Sequence, residues 1–409
     1  THTCNNSITI PSFFSNRYRD EKKMLQVIAA IFIVIFFIPY TASGFAACGK
    51  LFSSLFGVKY LTAMIISAIV IVAYTTLGGF LAASTTDFIQ SIIMSVALIV
   101  VLIFGVETAG GIGAVIHNAS ELPGYLSMTL SYDVNTGKAA PYSALTIVST
   151  AAWGLGYFGM PHILLRFMAI EDEKKLKLSR RVATIWVVIS LFVAVFIGVI
   201  GYTMSKVGAL EMLTGSNSET IIVKISALLS QHGVIFALLA GVILAGILAS
   251  TMSTSDSQLL AASSAVSSDL LGAFRKDSSN KNGSMAAARI TLLVISVVAA
   301  FIARNPDSSV FAIVSFAWAG FGAAFGPVVL FSLFWKRTSK WGALAGMVCG
   351  GSMVFIWKYL IRPLGGIWNI YELLPAFLIA CAAIVIVSLL TPKPSKEIEE
   401  EFDRVAQMK

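Results

Sequence analysis

Seven of the eight residues Ser250-Thr251-Met252-Ser253-Thr254-Ser255-Asp256-Ser257 carry a side-chain oxygen, and the run stands between two apolar stretches. Hydroxyls are hard, neutral oxygen donors, and several of them with at most one carboxylate suit a monovalent cation such as Na⁺. Helical spacing places Ser250, Ser253, Thr254 and Ser257 on one face. The competing reading is that the hydroxyls bond to carbonyls one turn back or join neighbouring helices. A second stretch, Trp153-Gly154-Leu155-Gly156-Tyr157-Phe158-Gly159-Met160-Pro161, concentrates three glycines and a proline. These residues weaken a helix, and proline also removes a backbone donor. Unwinding there would release carbonyls and amides and turn the polar tips of Trp153 and Tyr157 toward a cavity. The alternative is a kinked, continuous helix whose glycines allow close packing. Two acids in apolar surroundings, Asp87 and Asp256, complete the set, because an unpaired carboxylate inside a bilayer is costly and so marks a functional position. Asp87 could instead cap a helix N-terminus, and Asp256 could face water.

The elements that must hold these groups follow from composition. Of 409 residues, 12% are charged and 57% hydrophobic, against about 25% charged in an ordinary soluble domain. Such a chain cannot cover a soluble surface and reads as an all-α polytopic membrane protein. A bilayer core of about 30 Å takes about 20 apolar residues per helix. Ten such runs occur, roughly 24–49, 59–80, 84–107, 142–168, 179–205, 233–262, 285–303, 308–335, 341–361 and 370–391. The longest stretches without a span are 108–141 and 206–232. Assigning the loops alternately to the two sides puts 21 Lys and Arg on one side and eight on the other. The basic side faces the cytoplasm, so both chain ends are expected there. Residues 1–409 read as one transmembrane domain, with 1–23 a cytoplasmic loop, 24–391 the membrane helices and 392–409 a cytoplasmic tail.

Several function classes fall away. Cys4, Cys48, Cys349 and Cys381 are too widely spaced for a disulfide framework or a metal motif. The basic residues lie in loops on one side of the membrane, which points away from nucleic acid. No Walker A sequence, zinc box or Ser/His/Asp arrangement supports an enzyme. Gly322-x-x-x-Gly326, Gly342-x-x-x-Gly346 and Gly346-x-x-x-Gly350 permit close helix crossing.

The stretch from Ala152 to Leu164, with Arg166-Phe167-Met168, resembles the proline-transporting branch of the solute:sodium symporter family. So do Ala317-Trp318-Ala319-Gly320-Phe321-Gly322-Ala323-Ala324-Phe325-Gly326-Pro327 and Arg337 followed by Gly342-Ala343-Leu344-Ala345-Gly346. The similarity runs from the first residues to about residue 391. The resemblance implies a LeuT-type core of two inverted five-helix repeats with flanking helices, thirteen spans in all. The ten present here would then lack the N-terminal three, including the broken first core helix. It also implies that Ser253 and Thr254 supply hydroxyl ligands to Na⁺ and that Ser250, where the proline branch has Ala, supplies a backbone carbonyl. Tyr40, Trp153, Tyr157 and Pro161 match positions implicated in proline binding. Asp87 matches an acid on the sodium exit route. In family members with a second sodium site, the equivalent acid joins serines that align with Ser253, Asp256 and Ser257. Asp256 departs from that pattern and leaves the ion stoichiometry open.

The expected activity is Na⁺-coupled import of L-proline across a bacterial-type inner membrane by alternating access, with Na⁺, proline and the lipid bilayer as partners. The alternatives are a symporter of the same family for another small solute, and a non-transporting fragment or sensor. The topology has a direct check. Cysteines placed at Lys138 and Lys224 should react with an impermeant maleimide from outside, and those at Lys177 and Lys281 only from inside. Outside labelling of the second pair would overturn the orientation.

Overall fold

A computed structural model describes residues 7–170, 172–274 and 281–407. Cys4 and the basic residues Arg275 and Lys276 lie outside them. Helix α1 (Ile10–Arg17) begins at a capping box, in which the Thr9 side chain accepts from the Ser12 amide and the Ser12 hydroxyl accepts from the Thr9 amide. Helix α2 (Met24–Phe56) is the first long span, and α3 (Tyr60–Thr108) follows after a short turn. A straight helix of 49 residues would be about 74 Å long, more than twice the hydrocarbon thickness. It is not straight. The Tyr74 hydroxyl lies 3.4 Å from the Thr86 hydroxyl, whereas residues twelve apart on a straight helix stand about 18 Å apart. The helix therefore bends sharply between Tyr74 and Thr86. Its two arms, Tyr60–Leu77 and Ala83–Thr108, are each long and apolar enough to span. The two spans expected at 59–80 and 84–107 are thus present, but the backbone stays helical through the bend instead of breaking at 81–83.

The stretch 108–141 is not structureless. It holds α4 (Ile112–Glu121) and a hairpin of β1 (Leu130–Asp133) and β2 (Lys138–Pro141), paired antiparallel from Leu130↔Pro141 to Asp133↔Lys138. The expected span 142–168 is divided between α5 (Ala144–Ala151) and α6 (Pro161–Met168). Helix α7 (Leu176–Lys206) spans, and 206–232 then contains a 3₁₀ turn at Gly215–Thr220 and α8 (Ile221–Ser230). The helices α4 and α8, ten residues each, are too short to span and bury Val115 and Ala119 in one and Val223, Ile225 and Leu229 in the other. Helix α9 (Val234–Ser264) continues through a π-helical turn, Ala265–Leu270, into α10 (Leu271–Phe274). Then come α11 (Lys281–Ile302), α12 (Val310–Phe334), α13 (Lys340–Ile356), α14 (Leu373–Leu390) and the amphipathic α15 (Lys396–Gln407). Among the described residues nine helices are long and apolar enough to cross a membrane, and the divided α5–α6 region corresponds to the tenth expected span.

Helix α12 is the centre of the packing. Phe316 through Val329 are all buried, against α2, α13 and α14. The small-residue motifs do what their spacing suggested: Gly342 and Gly346 lie against Ser388 and Ile384 of α14, and Gly350 lies against the Ala323 carbonyl of α12. The residues after Pro392, expected as a plain tail, fold back as α15, with Ile398 and Glu401 buried and Arg19 paired to Glu401 at 2.7 Å.

At the opposite end Glu219 ties three elements together. It pairs with Lys50 at 2.7 Å, accepts from the Ser309 hydroxyl at 2.9 Å and accepts from the Val310 and Phe311 amides at the start of α12. Partial burial opposes its ionisation, but Lys50 and these donors outweigh it and hold the carboxyl below its ordinary range. A depressed folded-state value adds stability above the ordinary glutamate pKa of about 4.3, and that stability fades as pH falls through the folded value. Glu219→Gln should therefore lower the melting temperature by a few degrees near neutral pH, and the gap from wild type should close in acid. Equal melting temperatures at neutral pH would refute the role.

Candidate functional site

The bend of α3, the last turn of α6 and the middle of α9 enclose one polar cluster. Arg166 of α6 pairs with Asp87 and donates to the Ser84 and Ser257 hydroxyls, each at 2.9 Å. Ser257 donates to Asp256 at 3.3 Å, and the Tyr74 hydroxyl donates to the other Asp256 oxygen. Asp87 thus sits within a helix, paired, and is not an N-cap. Asp256 is fully buried and does not face water. The sequence reading singled out the acids but gave no role to Arg166 or Tyr74. One signal was available for Arg166: a membrane-buried carboxylate demands a cation, and Arg166 is a basic residue within an otherwise apolar run.

The hydroxyl run on α9 divides by direction. Ser253 and Thr254 both donate to the Ser250 carbonyl, at 3.2 and 3.0 Å, while Ser250 and Thr251 donate to the Ile247 carbonyl. In this arrangement these four hydroxyls follow the competing expectation of bonding one turn back. Ser255 packs against Gly44 of α2, and only Asp256 and Ser257 reach the α3 and α6 groups.

The aromatic stretch is broken, as one of the two sequence readings held. Helix α5 gives way to a 3₁₀ segment, Ala152–Phe158, Met160 is extended (φ −76°, ψ 107°), and α6 starts afresh at Pro161. The residue before a proline is pushed out of the helical region, which explains the location of the break. With three residues per turn, Trp153 and Tyr157 do not share a face in the way that an α-helix would impose. They meet instead through Trp318 of α12. The Trp153 ring stacks on it at 5.2 Å and 16°, and the Tyr157 ring stands edge-on to it at 4.9 Å and 86°. The Trp318 indole N–H donates to the Trp153 carbonyl at 2.9 Å and so ties the 3₁₀ segment to α12. Phe311 and Tyr371 extend the stack on Trp153. Tyr157 is 43% exposed, whereas Tyr40 is buried, its ring 5.8 Å from that of His162, the neighbour of Pro161. The four expected substrate residues therefore lie along one broken segment and the α2 face opposite it. Trp318 stood in a quoted motif, yet nothing in its local sequence indicated its role as the bracket.

Comparison with known proteins bears on this arrangement directly. The model of the family described as "Sodium:solute symporter family" matches residues 2–350. This chain belongs to that family. It is 38% identical over 396 residues to the osmoregulated proline transporter OpuE of Bacillus subtilis, covering 97% of this chain and 77% of the relative. It is 39% identical over 399 residues to the sodium/proline symporter of Salmonella typhimurium, covering 97% and 76%. Among solved structures it superposes on a Na⁺-coupled sialic acid symporter in a substrate-bound outward-open state, with TM-score 0.73 at 16% identity, covering 95% of this chain and 78% of that one. The fold is the LeuT-type symporter fold, and the family consists of membrane transporters, not enzymes.

Within this symporter fold, Gly156 lies directly beneath the Trp318 indole and beside Gly322, leaving no room for a methyl group, whereas Gly154 faces open space. Gly156→Ala should cost about 1–3 kcal/mol through overpacking and lower the melting temperature. Gly154→Ala should be tolerated at this level of packing. Equal thermal stability of the two variants would show that the Trp318 bracket does not hold the segment.

Proposed function

We infer that this protein imports L-proline in symport with Na⁺ across the plasma membrane by alternating access. The observation that supports the reading most is the match over 97% of the chain to relatives named as proline transporters. The geometry agrees with it, since a broken helix carrying aromatic rings runs beside a helix rich in hydroxyls. Sites of this kind occur in symporters at discontinuous helices, where freed backbone groups and helix ends meet the solute and the ion.

In this reading Na⁺ is a transported substrate held by the Ser253 and Thr254 hydroxyls with the Ser250 carbonyl. The two hydroxyl oxygens already stand 3.2 and 3.0 Å from that carbonyl, so small χ1 rotations would aim all three oxygens at one cation. Proline would pack its ring on Trp153 and Tyr157, with Tyr40 and Pro161 closing the pocket from the other side. Asp87, Asp256 and Ser257, joined through Arg166 and Tyr74, would serve a second ion or the exit route. Sodium must bind one conformer more tightly than the other for its gradient to drive transport, because coupling is a difference in affinity between states. Residues 1–409 would act as one transporter domain, with the basic-rich loops and both ends of this chain in the cytoplasm.

The assignment separates ion from solute experimentally. Ser253→Ala or Thr254→Ala should remove on the order of 1–3 kcal/mol of ion binding, raising the half-saturating Na⁺ concentration for labelled proline uptake about 5- to 150-fold. Trp153→Ala should instead weaken proline binding and leave the Na⁺ activation curve in place. Unchanged Na⁺ activation in both hydroxyl variants would dismiss the ion site, and uptake of a different small zwitterion in place of proline would dismiss the solute.

A further inference from the structure

A cavity of about 740 Å³ lies between the residues around the start of α1, the α6 helix and the last turns of α9. Most of its wall is apolar, with Ile33, Leu165 and Leu260 among the lining residues. One acid outside the site described above faces it. Asp269 stands in the π-helical turn Ala265–Leu270, an irregularity that often marks functional positions in helices. Its side chain is almost completely buried, at 1% exposure. One carboxylate oxygen accepts from the Thr9 hydroxyl at 2.8 Å and from the Gln26 amide nitrogen at 3.0 Å. The other oxygen, Oδ2, is shielded from water and has no hydrogen-bond partner among the described residues. Lys23, near in the fold, donates to the Gly272 carbonyl instead. A buried carboxylate with an idle oxygen is costly, and a cation in the adjoining space would remove that cost. Ser7, Ser263 and Ser267 add hydroxyl-bearing residues to the same wall. One carboxylate with neutral oxygens suits a monovalent hard cation better than a transition metal, and no metal-binding group of three His, Cys, Asp or Glu occurs among the described residues. Ser257 and Asp269 both line this cavity, so one space adjoins the α9 cluster and Asp269.

We propose that Asp269, with the hydroxyls beside it, forms a separate Na⁺ site at the basic-rich end of the cavity, occupied by the ion on its way into the cytoplasm. This rests on the reading of the chain as a Na⁺-coupled importer. The site sets how strongly internal Na⁺ opposes further uptake, and it leaves the external ion affinity to the α9 hydroxyls.

The test uses the whole chain in proteoliposomes with internal and external Na⁺ varied separately. Asp269→Asn keeps an oxygen for Thr9 and Gln26 and removes the charge facing the cavity. It should raise the internal Na⁺ concentration that half-inhibits proline uptake about fivefold or more, with external activation within about twofold of wild type. Gln26→Leu removes a donor to the other oxygen only and should leave the internal response as in wild type. An unchanged internal response in Asp269→Asn, or the same shift in Gln26→Leu, would show that Asp269 merely fastens α1 and α2 to α9 and would overturn the proposal. If Asp269→Asn does not fold, Ser267→Ala takes its place, and no shift in internal half-inhibition overturns the proposal equally. Absence of Na⁺-driven proline uptake in wild type would instead defeat the importer reading. Equilibrium binding of ²²Na⁺ to purified wild type and Asp269→Asn then decides the site, with lower binding by the variant upholding it and equal binding overturning it.

Discussion

A carboxylate placed in a hydrocarbon layer needs a cation or a full set of donors, and Asp87 and Asp256 impose that demand on three helices at once. Arg166 answers it for Asp87 and binds Ser84 and Ser257 as well, so α6 cannot shift along α3 or α9 without leaving charge unpaired. Tyr74 answers it for Asp256, which draws both arms of α3 onto α9. The bend of α3 is thus held by the acids that its two arms serve. The same pairs hold the three helices at one junction.

The second constraint is the backbone. Lipid offers no hydrogen bonds, so the 3₁₀ segment at Ala152–Phe158 persists only because protein groups take up its carbonyls and amides. Trp318 takes the Trp153 carbonyl, and the Gly159 amide closes on the Gly156 carbonyl at 3.0 Å. Helix α12 can act as the platform because its small residues let the irregular backbone come close. Gly156 lies over Gly322, and Gly159 lies against the Phe321 carbonyl and the Gly326 amide. Any motion of α12 against α5 and α6 must carry the aromatic stack with it or break it. The broken segment and α12 are therefore mechanically linked.

The ends of the helices are fastened by different means. On the basic-rich side α15 returns to the membrane domain through Arg19 and the buried Glu401, and through the exposed pair Lys336–Asp403, which contributes little alone. Glu219 at the far end holds α12 by its first turn, where an acid also complements the helix dipole. These contacts orient the helices at their ends, away from the interior polar junction.

The sequence by itself determined that the chain lies in a membrane, how many times it could cross, and where one crossing is weakest. These are local properties: apolar run length sets the spans, and the three glycines with Pro161 set the break. The concentration of oxygens at Ser250–Ser257 and the two acids were equally visible, since each is costly in lipid whatever surrounds it. Tertiary structure decided which cation meets which acid, that α3 bends while staying helical, that Ser253 and Thr254 turn toward their own backbone, and that Trp318 brackets the broken segment. It also placed α4, α8 and α15, whose apolar faces are too short to register as spans. None of this follows from residue order, because partners 79 or 165 positions apart are chosen by packing, and packing carries no period that a sequence could display.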